Sequence, residues 1–322
     1  MNVRRISCLL ALVTLTALLA GCNHPQPVIG VVPRTTETLL WEPLHLGIAE
    51  AARDSGLHIE WNGPADLSNV ETQLNLFSRM QRDQLRGIIF APEETLASRS
   101  VILDAIKTNM PLVIVGDEVG PPAGPLLSYV STDERAGASL AAKRIAQLLH
   151  GRGSIALIGV SPRSENGLRR QQYLEEDLAQ IAPEIKVAVR VFGDANIPHQ
   201  QQIAAEVLKR TPAVDLIVTL TPFATRGAYY AKLASTPRSR VPVVGFDQDI
   251  LFPVQTGDID SVVVQNTREI GRIAFEHMQQ ELAGKPPEGH TLVAPFLLTR
   301  ETLTSPTIIS LLAYESYDWS TQ

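Results

Sequence analysis

Residues 85–117 read LRGIIFAPEETLASRSVILDAIKTNMPLVIVGD, and this stretch decides the fold class. Two short apolar runs, 87–92 and 111–117, flank a segment of helical length at 95–108. Continuous apolar runs are typical of strands covered on both faces, as in parallel sheets with helices on either side. The stretch therefore predicts a strand, a crossover helix and a second, parallel strand.

The same alternation of strand and helix extends over most of the chain. The other predicted strands are 28–32, 57–63, 154–160, 186–192, 216–220, 242–247 and 261–265, and the other predicted helices are 40–55, 69–81, 136–150, 166–179, 200–210, 224–234 and 268–283. A turn rich in Pro and Gly at 119–125 separates two such groups. We therefore predict an α/β protein with two doubly wound parallel-sheet lobes, which bind ligands at the carboxyl ends of the strands.

Composition limits the function classes. A chain of 322 residues is long enough for about two domains of roughly 150 residues each. The net charge of −6 argues against a nucleic-acid partner. The sequence has no HExxH, GxSxG, Walker or GxGxxG pattern, and its histidines show no paired metal spacing. We expect no enzymatic activity, no metal and no cofactor.

The first residues have the pattern of an export signal. Two arginines precede an apolar run, 6–20, that is shorter than the roughly 20 residues that span a bilayer. The run ends in LAGC, residues 19–22, which resembles the lipobox of bacterial lipoproteins. This resemblance implies cleavage before Cys22 and lipid attachment to that residue. We predict a signal peptide at 1–21 and a lipidated tether at 22–27, which anchors the protein to the extracytoplasmic face of a membrane without spanning it.

Five segments resemble the type I periplasmic binding proteins, in particular their ribose-binding branch. They read VIGVVPRTTETLLWEPLHLGIAEAARDSG (28–56), LRGIIFAPEE (85–94), YVSTDERAGASLAAKRIAQLL (129–149), VPVVGFDQD (241–249) and GDIDSVVVQNTREIGRIAFEHM (257–278). The resemblance covers residues 28–303. It implies a three-segment hinge, with crossings near Thr132, Gln265 and Val293, and lobes that close around one ligand.

The implied lobes are discontinuous in sequence. The N-terminal lobe would contain residues 28–132 and 266–292. The C-terminal lobe would contain residues 133–265 and 293–310, followed by a tail at 311–322.

The resemblance also implies ligand contacts. Asp247 would accept hydrogen bonds from sugar hydroxyls, although a carboxylate after a strand can equally cap a helix. Gln265 can donate to and accept from a hydroxyl, or make a backbone bond at the hinge. Trp41 would stack on a sugar ring, with Leu40 and Thr38 as neighbours, or else pack in the core.

Several positions depart from the ribose-type pattern. Asp117 matches its Asp-Arg motif only with a one-residue slip, and the arginine is absent. A second ligand arginine is also missing; Arg163, Arg169 or Arg170 could reach the site instead, although Arg169 also fits a salt bridge in its helix. Thr221 replaces a ligand asparagine. A monosaccharide fits this pattern better than ribose itself.

The sequence thus predicts an exported, monomeric solute-binding lipoprotein. It would capture a small polar ligand, such as a sugar or a similar polyol, and deliver it to an ABC permease. Two alternatives remain: a receptor that reports the ligand to a membrane histidine kinase, and an enzyme that uses the cleft. The lactose-repressor family shares the fold, but it needs a DNA-binding headpiece, for which residues 23–27 would leave no room.

Overall fold

The structure of this protein is a computed structural model that describes residues 27–36, 41–65, 69–118, 120–160, 162, 165–246, 250–306 and 308–309. Within these residues, twelve strands form two six-stranded sheets, and helices cover the faces of both. The prediction of two doubly wound α/β lobes is confirmed.

The first lobe combines strands from the first half of the chain with one late strand. Its strands are β1 (Val28–Val32), β2 (His58–Trp61), β3 (Gly87–Phe90), β4 (Leu112–Val115), β5 (Leu127–Thr132) and β11 (His290–Val293). Its helices are α1 (Glu42–Ala52), α2 (Val70–Arg82), α3 (Thr95–Lys107) and α9 (Thr267–Leu282). The strand order is β11-β5-β4-β3-β1-β2, and all neighbouring strands are parallel.

The second lobe is built in the same way. Its strands are β6 (Arg152–Val160), β7 (Glu184–Phe192), β8 (Leu216–Thr219), β9 (Val243–Phe246), β10 (Ser261–Val264) and β12 (Phe296–Thr299). Its helices are α4 (Glu134–Leu148), α5 (Glu165–Ile181), α6 (Ile197–Leu208), α7 (Pro222–Ala234) and α8 (Leu251–Thr256). The strand order is β12-β10-β9-β8-β6-β7.

One strand departs from the predicted parallel arrangement, because β12 pairs with β10 antiparallel. The chain passes between the sheets after β5, β10 and β11. After β5 and after β10 the chain enters the other lobe through a helix, which runs away from the interlobe edge. The strand that follows each helix then runs back toward that edge. Only Ala294 and Pro295 separate β11 from β12. Strand β12 therefore starts at the interlobe edge and runs away from it.

Apolar packing on both faces of each sheet holds the lobes together. All residues of β3, β4, β8 and β9 are buried, as expected for strands between two layers of helices. Burying one Val, Leu or Ile side chain contributes about 1.5–3 kcal/mol to the free energy of unfolding. The short runs rich in Val, Ile and Leu thus form the central strands of each lobe.

Helix α9 returns to the first lobe and packs very closely on α1. A Cβ atom added at Gly47 would lie 1.9 Å from the carbonyl oxygen of Arg268, and one at Gly271 would lie 2.2 Å from that of Leu44. The glycines therefore allow backbone-to-backbone contact between the two helices. Arg268 also forms two hydrogen bonds with the Glu50 carboxylate, of 3.0 and 2.6 Å, across the same contact.

The carboxyl group of Glu281, on α9, is buried beneath two strands and is 3% exposed. It accepts hydrogen bonds from the Leu112 backbone N–H at 3.1 Å and from the Ser128 hydroxyl at 2.7 Å. Burial raises the pKa of Glu281 from 4.5 to about 7, although both hydrogen bonds act to lower it. Between these two pH values the folded protein keeps a proton that the unfolded chain has lost, so this group makes stability fall as pH rises.

We expect Glu281→Gln to remove this loss of stability at higher pH, because the amide keeps a polar group in place without a charge. The variant should be more stable than the wild type by about 1–3 kcal/mol at pH 8 and by much less at pH 5. Urea denaturation at several pH values measures the difference. The exposed Glu71→Gln on α2 is the control, and an equal gap for Glu281→Gln at both pH values would contradict this account.

Candidate functional site

The three passages between the lobes meet at one place. The Thr132 hydroxyl, at the end of β5, donates a hydrogen bond of 2.9 Å to the side-chain oxygen of Gln265, just after β10. The backbone N–H of Asp133 donates to the carbonyl of Val293, at the end of β11, also at 2.9 Å. The carboxyl ends of both sheets therefore face the interlobe space, where doubly wound sheets bind ligands. Gln265 is half-buried at this edge.

The first lobe supplies an arginine that the sequence analysis did not single out. Arg34 follows β1, and its Nη2 donates to Oδ2 of Asp117, just after β4, at 2.5 Å. Arg34 Nε is buried and has no hydrogen-bond partner among the described residues. The pair places donors and an acceptor side by side, and a hydroxyl group can match both. No arginine follows Asp117 directly in the sequence, but Arg34, just after β1, lies beside it in the structure.

A buried glutamine fixes the backbone around this pair. Gln73, on α2, is fully buried, and its Nε2 donates to the carbonyl groups of Pro33 and Ala91 at 2.8 and 2.9 Å. Its Oε1 accepts from the Glu93 backbone N–H at 3.0 Å. Gln73 therefore ties the ends of β1 and β3 together. The sequence offers no sign of this role, since a single glutamine is ordinary in an amphipathic helix.

Trp41 lies directly before α1 and is 6% exposed. Its ring packs in the core of the first lobe with Ile29, Leu44 and Ile270. The Arg34 guanidinium lies 6.0 Å from the ring centroid, within the range of a cation–π contact. The burial agrees with the core-packing alternative, and stacking of the ring on a ligand stays a prediction.

Charges near the Arg34–Asp117 pair act on one another. Burial alone would lower the pKa of Arg34, but the carboxylates of Asp117 and Glu93 raise it above its ordinary value, so the guanidinium stays charged. Burial raises the pKa of Glu93 from 4.5 to about 7; Arg34 acts to lower it, whereas Asp117 and Glu94 act to raise it. Glu93 can therefore donate or accept a hydrogen bond near neutral pH.

In the second lobe, Arg170 joins three strand-end segments. Its Nε and Nη2 donate to the Glu134 carboxylate at 2.6 and 2.7 Å, and its Nη1 donates to the Leu220 carbonyl at 2.7 Å. The guanidinium lies 4.4 Å from the Phe246 ring centroid, and Arg170 as a whole is 8% exposed. Arg170 thus holds together the strand-end segments of this lobe that border the cleft.

Thr221, a predicted ligand contact, has a capping role in the structure. Its hydroxyl accepts a hydrogen bond of 3.3 Å from the Ala224 backbone N–H at the start of α7. Phe246 ends β9 and is buried, so the predicted contact Asp247 follows directly from a well-packed strand. Several predicted residues lie outside the described part of the chain: Cys22, Thr38, Leu40, Arg163 and Asp247.

Arg169 is the remaining candidate, and it reaches the other lobe. Its Nη1 lies 3.8 Å from Oε2 of Glu118, in the segment after β4. Oε1 of the same carboxylate lies 3.3 Å from Nδ1 of His290, at the start of β11. Arg169 is therefore at the cleft, where it faces a charge of the first lobe.

Comparison with known proteins identifies the family. The sequence model of the periplasmic binding protein domain matches residues 29–286. The chain belongs to the periplasmic binding proteins. The chain is also 25% identical over 264 residues to the D-allose-binding periplasmic protein of Escherichia coli (strain K12), a match that covers 79% of this chain and 85% of that protein.

Solved structures show the same fold. An ABC transporter solute-binding protein from Agrobacterium vitis, bound with α-D-tagatopyranose, superposes with a TM-score of 0.80 at 21% identity, and the match covers 88% of this chain and 98% of that one. A carbohydrate transporter solute-binding protein from Agrobacterium radiobacter, in complex with D-arabinose, has a TM-score of 0.79 at 18% identity, covering 90% and 100%. The predicted resemblance to the type I binding proteins is confirmed.

These findings bear on several other predictions. The relatives are transport binding proteins rather than enzymes, which agrees with the predicted lack of enzymatic activity in this family member. The names of the family and of the E. coli relative place such proteins in the periplasm, which supports an extracytoplasmic location. Among the described residues, no His, Cys, Asp and Glu side chains are grouped to hold a metal ion. No helix in the described ranges is both long enough and apolar enough to cross a bilayer.

The interactions among Arg34, Asp117 and Glu93, here called the charge cluster, can be tested without a ligand. We expect Arg34→Met to raise the pKa of Glu93 above about 7 and Asp117→Asn to lower it, because Arg34 favours and Asp117 disfavours the ionised carboxylate. NMR titration of the Glu93 side-chain carboxyl carbon measures both shifts. Arg79→Met, which removes the partner of Glu60 in an ion pair outside this cluster, is the control. Shifts in the same direction for both variants would refute the proposed cluster.

Proposed function

We propose that this protein is an exported, lipid-anchored, sugar-binding protein that delivers its ligand to an ABC permease. The observation that best supports sugar binding is the Arg34–Asp117 pair at the carboxyl ends of β1 and β4, inside the cleft of a periplasmic binding protein. A sugar hydroxyl can accept from the guanidinium and donate to the carboxylate at the same time. Capture and presentation are the whole mechanism, and no bond is broken.

The proposed ligand is a neutral monosaccharide. The cations described at the cleft each face a carboxylate: Arg34 with Asp117, Arg169 with Glu118 and Arg170 with Glu134. A ligand that brings hydroxyl groups and no net charge leaves these pairs intact. Proteins of this fold have been solved with D-tagatose and D-arabinose, and the E. coli relative is named for D-allose, which makes these three sugars the first probes.

The proposed site draws on both lobes. From the first lobe, we propose that Arg34 and Asp117 contact hydroxyl groups and that Trp41, whose ring centroid lies 6.0 Å from the Arg34 guanidinium, stacks on the ligand. From the second lobe, we propose that Asp247 accepts further hydroxyl protons and that Gln265 binds the ligand at the hinge. The further proposed contacts are Thr38, Leu40, Thr221 and Arg169. Thr221 also caps α7, and Arg169 also faces Glu118.

A thermal-shift screen tests the binding function. Only the folded protein binds, so a sugar present at 100 times its Kd should stabilise the fold by about 2.7 kcal/mol and raise the melting temperature. With a sugar that binds, Asp247→Ala should weaken the affinity at least about tenfold, because a charged acceptor contributes about 1.5–3 kcal/mol per hydrogen bond. The ligand-free variant should melt near the wild-type temperature.

The control for this screen is Asp104→Ala, an exposed pair with Lys107 on α3. Its affinity should equal that of the wild type. The assignment of Asp247 is wrong if the wild type and Asp247→Ala bind the same sugar equally tightly. The sugar-binding function itself is wrong if no sugar or polyol shifts the melting temperature while an unrelated class of solute does.

The lipid anchor is a separate proposal that rests on LAGC at residues 19–22. We expect Cys22→Ser to abolish incorporation of labelled palmitate and to move the protein from the membrane pellet to the soluble fraction. Cys8→Ser, within the predicted signal peptide, should leave both unchanged. Continued labelling of Cys22→Ser would overturn the assignment.

A further inference from the structure

A charged contact joins the two lobes beside the cleft. Glu118 belongs to the segment after β4 of the first lobe, and Arg169 belongs to α5 of the second. Oε2 of Glu118 lies 3.8 Å from Nη1 of Arg169. We infer that this ion pair is a latch that favours the closed arrangement of the lobes and so tunes the affinity for the ligand. The inference rests on the proposed capture of a ligand by closing lobes.

Glu118 is available for this role because its charge takes no part in the Arg34–Asp117 pair. It directly follows Asp117 in the segment after β4. Here Arg34, from the end of β1, is the arginine that pairs with Asp117. Glu118 therefore contributes a negative charge at the cleft, and it faces the other lobe.

The rest of the first lobe holds the Glu118 carboxylate in position. Its Oε1 lies 3.3 Å from Nδ1 of His290. The His290 ring is stacked on Tyr129, with ring centroids 4.8 Å apart and planes 10° apart. Tyr129 is itself fixed, since its hydroxyl donates to the Pro121 carbonyl at 2.6 Å. These contacts restrict the positions open to the Glu118 carboxylate, which limits the conformational entropy lost when it pairs with Arg169.

The exposure of the pair sets the size of the effect. The side chains of Glu118 and Arg169 are 33% and 39% exposed, so water and salt screen their attraction. An exposed ion pair of this kind shifts an equilibrium by about 1.5- to 5-fold. A ligand that binds only the closed form gains affinity in proportion to the closed population. The latch therefore adjusts the affinity by a small factor through the closed population.

A distance measurement on the ligand-free protein tests the latch. The chain's cysteines are Cys8 and Cys22, so serine at both positions leaves a background without thiols. Spin labels on Leu96→Cys and Phe192→Cys would report on the cleft. Both residues are exposed; Leu96 lies in the first turn of α3, which follows the cleft-facing end of β3, and Phe192 is the last residue of β7. Pulsed dipolar spectroscopy on the full chain then resolves a shorter, closed and a longer, open distance.

Loss of either charge should favour the open form. We expect Glu118→Gln and Arg169→Gln each to lower the closed-to-open ratio about 1.5- to 5-fold, and the double variant to lower it no further. Arg169→Glu should lower it more, because it places like charges together. The exchanged pair, Glu118→Arg with Arg169→Glu, should restore the ratio. About 1 M salt should bring the wild type close to the single variants.

The control removes an ion pair that lies inside one lobe. Arg190→Gln breaks the 2.5 Å contact with Glu175 in the second lobe and should leave the distances unchanged. The latch is refuted if the wild type shows no closed population at low salt, or if the exchanged pair fails to restore the ratio that Arg169→Glu lowers. No sugar is present in this experiment, so its failure is distinct from failure of the sugar screen.

Discussion

The position of the ligand site depends on the hydrogen bonds that join the three interlobe passages. Thr132 donates to Gln265, and the Asp133 backbone donates to Val293, so three strands end within a few ångströms of one another. Each of those strands runs toward this point. Because every other strand except β12 runs parallel to them, the carboxyl ends of both sheets face the same space. A ligand site between the lobes follows from this geometry.

The site joins a donor and an acceptor that lie far apart in the chain. Arg34 comes from the end of β1 and meets Asp117, just after β4, at 2.5 Å. The residue after Asp117 takes no part in this pair. Glu118 then carries a negative charge that faces Arg169 across the cleft.

Local patterns in the sequence predict the fold well. The runs GIIF and LIVT are fully buried strands. Helices α2, α6 and α9 are each capped by an asparagine, which is Asn69, Asn196 and Asn266 respectively. Strands β5, β11 and β12 were not predicted. The last of them, Phe296–Thr299, is short, and its direction depends on the two-residue link from β11. The predicted helix at 40–55 begins later in the structure, at Glu42, with Pro43 in its first turn.

The site was harder to predict, because its contacts join distant positions. The Arg34–Asp117 pair spans 83 positions, and no local spacing indicates it. Gln73 fixes the ends of β1 and β3 from a helix whose sequence looks ordinary. The resemblance to the binding proteins pointed to Asp117, Gln265 and Thr221 at strand ends, but it does not tell whether such a residue faces a ligand, the hinge or a helix N-terminus. That distinction depends on side-chain contacts that only the folded chain shows.

Small-angle X-ray scattering with and without a bound sugar tests the central claim most directly, since the claim is that the two lobes close on a ligand. A ligand that touches both lobes binds the closed form better and shifts the population toward it. We predict a smaller radius of gyration at saturating sugar than in its absence. An unchanged radius of gyration with a sugar that demonstrably binds would contradict the account.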